Sequence, residues 1–170
     1  MAELGKATQQ ELKAIASAFQ VYGDFVSGCP YGSGHITDTY QLTYSVGGAS
    51  MHYLLQRINH HVFTQPANVQ QNILRVTRHI ADKLRAQGVE DISRRTLTLI
   101  LTRDSEPVYH DAEGNWWRMY IFVEGAKTYD QIQSTAQAEL VGEAFADFQN
   151  QVADLVDPRL HETIPNFHNT

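Results

Sequence analysis

Two glycines set two apart in Tyr31-Gly32-Ser33-Gly34-His35-Ile36 mark where this chain could do chemistry, because backbone without a side chain can approach a ligand closely. The N–H groups of Ser33, Gly34, His35 and Ile36 would form a cradle for anionic oxygens such as those of phosphate, with His35 at its tip. One strand further on stands a cation, Arg57. Each feature also has a plain alternative. Paired glycines are common in hairpin turns that bind nothing, and a strand arginine is most often solvated.

What surrounds the glycines decides between these readings. Thr39 to Val46 alternates polar with apolar or aromatic residues, Gly47-Gly48 marks a turn, and Met51 to Ile58 is again strand-like. A dinucleotide-binding fingerprint must open a helix, and here a strand follows. A Walker loop needs Gly-Lys before Ser or Thr, which Gly34-His35-Ile36 does not provide. What remains is a flap between two antiparallel strands, followed one strand later by a cation, as in the small lobe of protein-kinase-like enzymes. Strand alternation puts Tyr53, Leu55 and Arg57 on one face, so Leu55 is expected to offer an apolar shelf to a base and Arg57 a charge to phosphates.

Composition narrows the partners. The chain has 170 residues, 42% hydrophobic and 19% charged, enough apolar surface for the core of one ordinary domain. A formal charge of -6 with scattered Lys and Arg argues against nucleic acid and for a small-molecule partner. The single cysteine, Cys29, has no partner for an internal disulfide, and it reads as a packed small residue rather than a nucleophile. The first residues lack the apolar stretch of a signal peptide, and no run reaches the about 20 apolar residues of a membrane span. A cytoplasmic setting is expected.

Further elements follow from pattern. Thr8-Gln9-Gln10-Glu11 is a capping box opening a helix with Leu12, Ile15, Ala16 and Phe19 on one side, ending near Gly23. Asp24 to Pro30 is a first strand. Pro66 starts a helix whose stripe is Val69, Ile73, Val76, Ile80 and Leu84, stopped by Gly88. Strands are then expected over Leu97 to Thr102, Val108 to His110 and Trp116 to Val123. Glu124-Gly125-Ala126 is a connector, and Ser134 to Val156 a long helix with its own capping box. Asn59-His60-His61 invites a metal reading, but adjacent strand histidines point to opposite faces and no second ligand cluster is apparent.

Several stretches together carry a resemblance: the glycine run through Tyr40, Tyr53-Leu54-Leu55-Gln56-Arg57-Ile58-Asn59, Asn72-Ile73 with Val76-Thr77, Trp117-Arg118, and Phe122-Val123-Glu124-Gly125. They resemble the aminoglycoside phosphotransferase-like family, a protein-kinase-like group, and within it the N-acetylhexosamine kinases. The resemblance implies an α+β fold: a kinase-like small lobe with an antiparallel five-stranded sheet and flanking helix, then the first helix of a large lobe. It also implies ATP and Mg as cofactors, transfer of the terminal phosphate to a sugar hydroxyl, and an adenine edge read by the carbonyl of Glu124 and the N–H of Ala126.

Departures from the family pattern shape the remaining expectations. The catalytic aspartate and magnesium-binding acids of the family lie in His-x-Asp-x-x-x-x-Asn and Asp-x-Asp motifs, and neither is in this sequence. The chain is therefore read as an N-terminal portion, with a nucleotide-binding lobe at 1–125 and a connector plus the start of a second lobe at 126–170. The helix after Pro66 has no glutamate to pair with the strand cation, leaving Gln71 or Asn72 as partners for Arg57, or the phosphates alone. The apolar face of the 134–156 helix is expected to pack on the small lobe or to pair two copies. A stand-alone ligand-binding or regulatory module without chemistry is the alternative.

Overall fold

In the computed structural model, which describes residues 7–32, 36–127, 129 and 131–167, the first element is built by the capping box. The Thr8 hydroxyl accepts from the Glu11 N–H, and the Glu11 carboxylate accepts from the Thr8 N–H, opening α1 (Gln9–Ala16). These bonds from Thr8 hold the Glu11 carboxyl below its ordinary range. α1 stops at Ala16, short of the run expected to Gly23. Beyond it Phe19 bridges to Thr102, and the Gln20 N–H bonds to the Leu101 carbonyl, so the backbone there is pinned in extended form.

A meander follows, of β1 (Asp24–Pro30), β2 (Asp38–Val46) and β3 (Ala49–Ile58). Next come α2 (Pro66–Ala86), a short α3 (Ile92–Arg95), β4 (Leu99–Ile100), β5 (Tyr109–His110), β6 (Trp116–Ile121) and α4 (Thr135–Val152). The strand expected over Leu97 to Thr102 shrinks to two residues, because Thr102 turns away to close a tight loop with Glu106 through both backbone and hydroxyl. The sheet is antiparallel, in the order β1-β2-β3-β6-β4, with β5 a two-residue addition to β6. Among the described residues the sheet thus has six strands, one more than the five implied, because the turn at Asp111 folds Tyr109-His110 back onto β6.

Alternation gives the sheet two different sides. On the first, Tyr40, Leu42 and Tyr44 of β2, Tyr53 and Leu55 of β3, and Trp117 and Met119 of β6 form one buried cluster with Leu12, Ala16 and Phe19. α1 is the lid of this core. Gly28 lies close beneath it, where a Cβ would come within 2.7 Å of the Leu12 Cδ1 and 2.9 Å of the Leu42 Cδ2 and force these side chains to shift. Burial and the neighbouring Tyr53 push the Tyr44 hydroxyl up to about 12. On the second side Ile58 and Tyr120 are buried outside that cluster, and so are Gln70, Ile80, Ala81 and Leu84 of α2, which packs against α3 and α4.

α4 behaves unlike either helix. Half of the expected capping box forms, the Ser134 hydroxyl accepting from the Gln137 N–H while the Gln137 Oε1 takes the Gln133 N–H in place of that of Ser134; the helix ends at Val152 rather than Val156, and no residue of α4 is buried. It is held to α2 near its C-terminal end, where Lys83 donates to the Gln151 carbonyl and both Lys83 and His79 reach Asp154. Leu140, Val141, Phe145 and Phe148 remain exposed, so the close packing expected for this helix is not formed.

Candidate functional site

The second side of the sheet carries the open surface. Thr39, Gln41 and Thr43 of β2 and His52, Leu54 and Gln56 of β3 share it by alternation, and all six are only half-buried. A row of hydrogen bonds crosses three strands here. Gln56 Nε2 donates to Thr39 Oγ1 at 3.0 Å, and Arg118 Nε on β6 donates to Gln56 Oε1 at 2.9 Å. Gln56 and Arg118 are directly paired in the β3/β6 register, so the row is fixed by backbone pairing rather than by side-chain choice.

The flap leaves from this same corner. The Tyr31 N–H bonds to the Thr39 carbonyl at 2.8 Å, and Gly32 follows with φ +81°, a conformation that glycine adopts without strain. Ser33, Gly34 and His35, expected as phosphate donors, lie outside the described residues; Ile36 is exposed. Tyr31 reaches over the sheet to Phe122 at the end of β6, the rings edge to face with centroids 5.2 Å apart. Phe122 in turn meets His52 at 6.1 Å, and His52 Nδ1 lies 2.5 Å from Glu124 Oε1. A continuous line of rings therefore joins flap and connector.

At the connector, Gly125 has φ +67° and Ala126 is exposed. The Glu124 carbonyl, expected to face an adenine edge, accepts from Arg94 of α3 at 2.7 Å, which occupies one of its two lone-pair directions.

Two expected residues stand on the other side. Leu55 has no exposed surface and belongs to the α1 cluster, so it offers no shelf to a base. Arg57 does share a face with Tyr53 and Leu55, but that face is the one α1 covers. Its Nε and Nη2 both donate to Asp38 Oδ2, at 2.8 and 2.5 Å, and its guanidinium lies 5.7 Å from the Trp117 ring centroid. Its partner is thus neither Gln71 nor Asn72; Gln71 bonds the His161 ring, and Asn72 bonds the His161 backbone. The physical reason is a period-two sheet, in which one residue of shift exchanges the two sides.

Sequence reasoning missed Gln56, Arg118, His52 and Phe122 as a set. The signal that could have found them is β6, where Trp117 and Met119 mark the buried phase and leave Arg118 and Tyr120 on the other. Arg118 Cζ sits 5.5 Å from the Tyr120 ring centroid. Burial raises the Tyr120 hydroxyl above its ordinary value, while the Arg118 charge pulls it partly back.

Other candidates separate from this site. A cavity of ≈480 Å³ lies among α2, α3 and α4, lined by apolar side chains including Ile73, Val76, Ile80 and Phe148, with no flap residue in its wall. His60 and His61 fall beyond the end of β3, and their rings lie 4.4 Å apart rather than on opposite strand faces. Among the described residues no group of three or more His, Cys, Asp and Glu side chains could hold a metal ion. No helix among them is long and apolar enough to cross a membrane.

No protein-family model matches this sequence. Among solved structures, the crystal structure of spectinomycin phosphotransferase in complex with ADP and spectinomycin superposes with a TM-score of 0.51 at 14% identity, over 86% of this chain and 42% of that one. The chain thus spans less than half the length of this neighbour, an aminoglycoside phosphotransferase. The fold is α+β of the protein-kinase-like small-lobe type, as the sequence resemblance implied.

Proposed function

We propose that this chain forms the ATP-binding part of a small-molecule kinase, with the nucleotide on the second side of the sheet, between flap and connector. One observation carries the reading: the base of the flap, a polar row and a set of rings converge on a half-exposed sheet surface of a kinase-like small lobe. Phosphates would lie under Gly32 to Ile36. The base would lie toward His52, Leu54 and Phe122, within reach of the Glu124 and Ala126 backbone, and Tyr31 would move aside or cover it.

In this reading residues 1–125 are the nucleotide lobe, and 126–170 are connector and the start of a second lobe. The acceptor is a sugar hydroxyl, with N-acetylhexosamines first by the sequence resemblance. By the sequence resemblance, magnesium would be held by acids of the second lobe, and the part given to this chain is nucleotide binding. The exposed apolar residues of α4 make pairing of two copies through the 134–156 helix part of the proposal, which sedimentation of the purified chain checks.

Calorimetric titration of the 170-residue chain with ATP, ADP and adenosine tests the central claim. Saturable binding of ATP that falls in Gly32→Val is expected, because valine is strained at a φ of +81°. Absence of nucleotide binding by folded wild-type protein would refute the reading. The same samples, given ATP, magnesium and N-acetylglucosamine, are expected to turn nothing over, and turnover would place the chemistry within these residues.

A further inference from the structure

We infer that Arg118 of β6, in place of a cation on β3, is the group that meets the nucleotide phosphates; this rests on the nucleotide reading above. Three independent features of the structure lead to it.

The first is position. Arg118 shares the second side of the sheet with Thr39 and Gln56 and is tied to them in one row, and Thr39 is the residue whose carbonyl anchors the base of the flap. Tyr31 and Gly32, the described start of the flap, therefore stand at one end of a hydrogen-bonded row whose other end is a guanidinium. The second is spare capacity. Arg118 uses Nε on Gln56, and neither Nη group has a hydrogen-bond partner among the described residues. Two donors not engaged by any described residue can form the parallel pair that suits phosphate oxygens. The Tyr120 ring at 5.5 Å holds the guanidinium plane from another side, so the fork is oriented before a ligand arrives.

The third is the state of the competing cation. Arg57 already has a carboxylate, Asp38, on two of its nitrogens, and it lies on the α1 side. To serve a phosphate it would have to abandon that carboxylate and cross the plane of the sheet. On β3 itself, the residue facing the second side at this level is Gln56, which carries no charge. Gln56 acts here as a positioning residue: its amide oxygen takes Arg118 Nε while its amide nitrogen is fixed to Thr39, so the glutamine cannot flip without breaking both bonds.

The test is titration of ATP, ADP and adenosine into wild type, Arg118→Gln, Arg118→Lys and Arg57→Gln, with near-UV circular dichroism to confirm folding. Expected is a loss of ATP affinity of about tenfold or more in Arg118→Gln with adenosine unchanged, and partial recovery in Arg118→Lys. A folded Arg118→Gln that keeps wild-type ATP affinity overturns the inference and leaves the nucleotide reading standing. So does a phosphate-selective loss carried by Arg57→Gln instead. Wild type that binds neither ATP nor adenosine overturns both together. Should Arg118→Gln fail to fold, the wild-type Arg118 Nε–H resonance decides: it is expected to shift with ATP and ADP but not with adenosine, and a resonance indifferent to ATP overturns the inference.

Discussion

On the α1 side of the sheet Leu42, Tyr53, Leu55, Trp117 and Met119 have lost contact with water, whereas on the other side of the same strands Thr39, Gln41, Thr43, His52 and Gln56 keep part of theirs. The strands are shared, so their backbone hydrogen bonds cannot explain the difference. Apolar burial at roughly 25 cal/mol per Å² makes the first side the source of stability. The second side buries Ile58 and Tyr120, but at Thr39, Gln56 and Arg118 it holds its polar groups through bonds to one another. One side can therefore be changed at the expense of folding, and the other, in the proposed reading, at the expense of binding.

That contrast breaks most visibly at Phe19 and Trp117. Truncating either to alanine removes a fully packed aromatic from the α1 core and is expected to cost about 3–5 kcal/mol in urea unfolding. Gln56→Ala on the opposite side is expected to stay within about 1 kcal/mol while weakening ATP. Equal losses for the two would mean that the sides are not divided in this way.

A smaller effect is expected at Gly28, where valine would bring a Cβ to within 2.7 Å of Leu12 and push α1 off the sheet, costing about 1–3 kcal/mol. Here adenosine and ATP binding, measured on the folded fraction, should be unchanged. Smaller still is Arg57→Gln, which removes an ion pair with a half-exposed aspartate at about 1 kcal/mol or less.

The smallest effect is a pH effect at Asp111. Burial alone would raise its carboxyl, but hydrogen bonds from Trp117, Asn115 and Glu113 outweigh this and hold it low. A depressed carboxyl stabilises the fold above its unfolded value, near 3.8, and that contribution fades as the pH falls through the lower folded value. Melting temperature should therefore fall less steeply below about pH 4 in Asp111→Asn than in wild type. Parallel curves would show that the Trp117 bond does not depend on the charge.

The meander, the helix at Pro66 and both capping residues were legible because each is a local pattern. Thr8 and Glu11 lie on one turn, and Gly47-Gly48 closes a hairpin between neighbours in sequence. The side on which Arg57 points was not legible. Tyr53-Leu54-Leu55 is apolar in both phases, so β3 alone does not reveal its buried face; that choice is made by α1 and β6, which come from far along the chain. The shortness of β4 was hidden for a similar reason, since Thr102 is claimed by Phe19 and Glu106. The small-lobe fold could be read by resemblance, while Gln56 and Arg118 emerge only once two distant strands are in register.

β6 has a consequence in time as well as in space. It lies between β3 and β4, yet β3 ends at Ile58 and β6 begins at Trp116, so the sheet closes only after a loop of more than fifty residues has been brought round. Such a closure is entropically late, and the β1-β2-β3 meander is expected to form ahead of it. Both tryptophans of the chain, Trp116 and Trp117, sit on β6 and report its arrival. In stopped-flow refolding, tryptophan fluorescence should lag behind the far-ultraviolet dichroism signal, and coincident single-exponential traces would count against this order. Until β6 arrives, the nascent chain has a flap and a β3 strand but neither Trp117 nor Arg118, so core and candidate site are completed in one step.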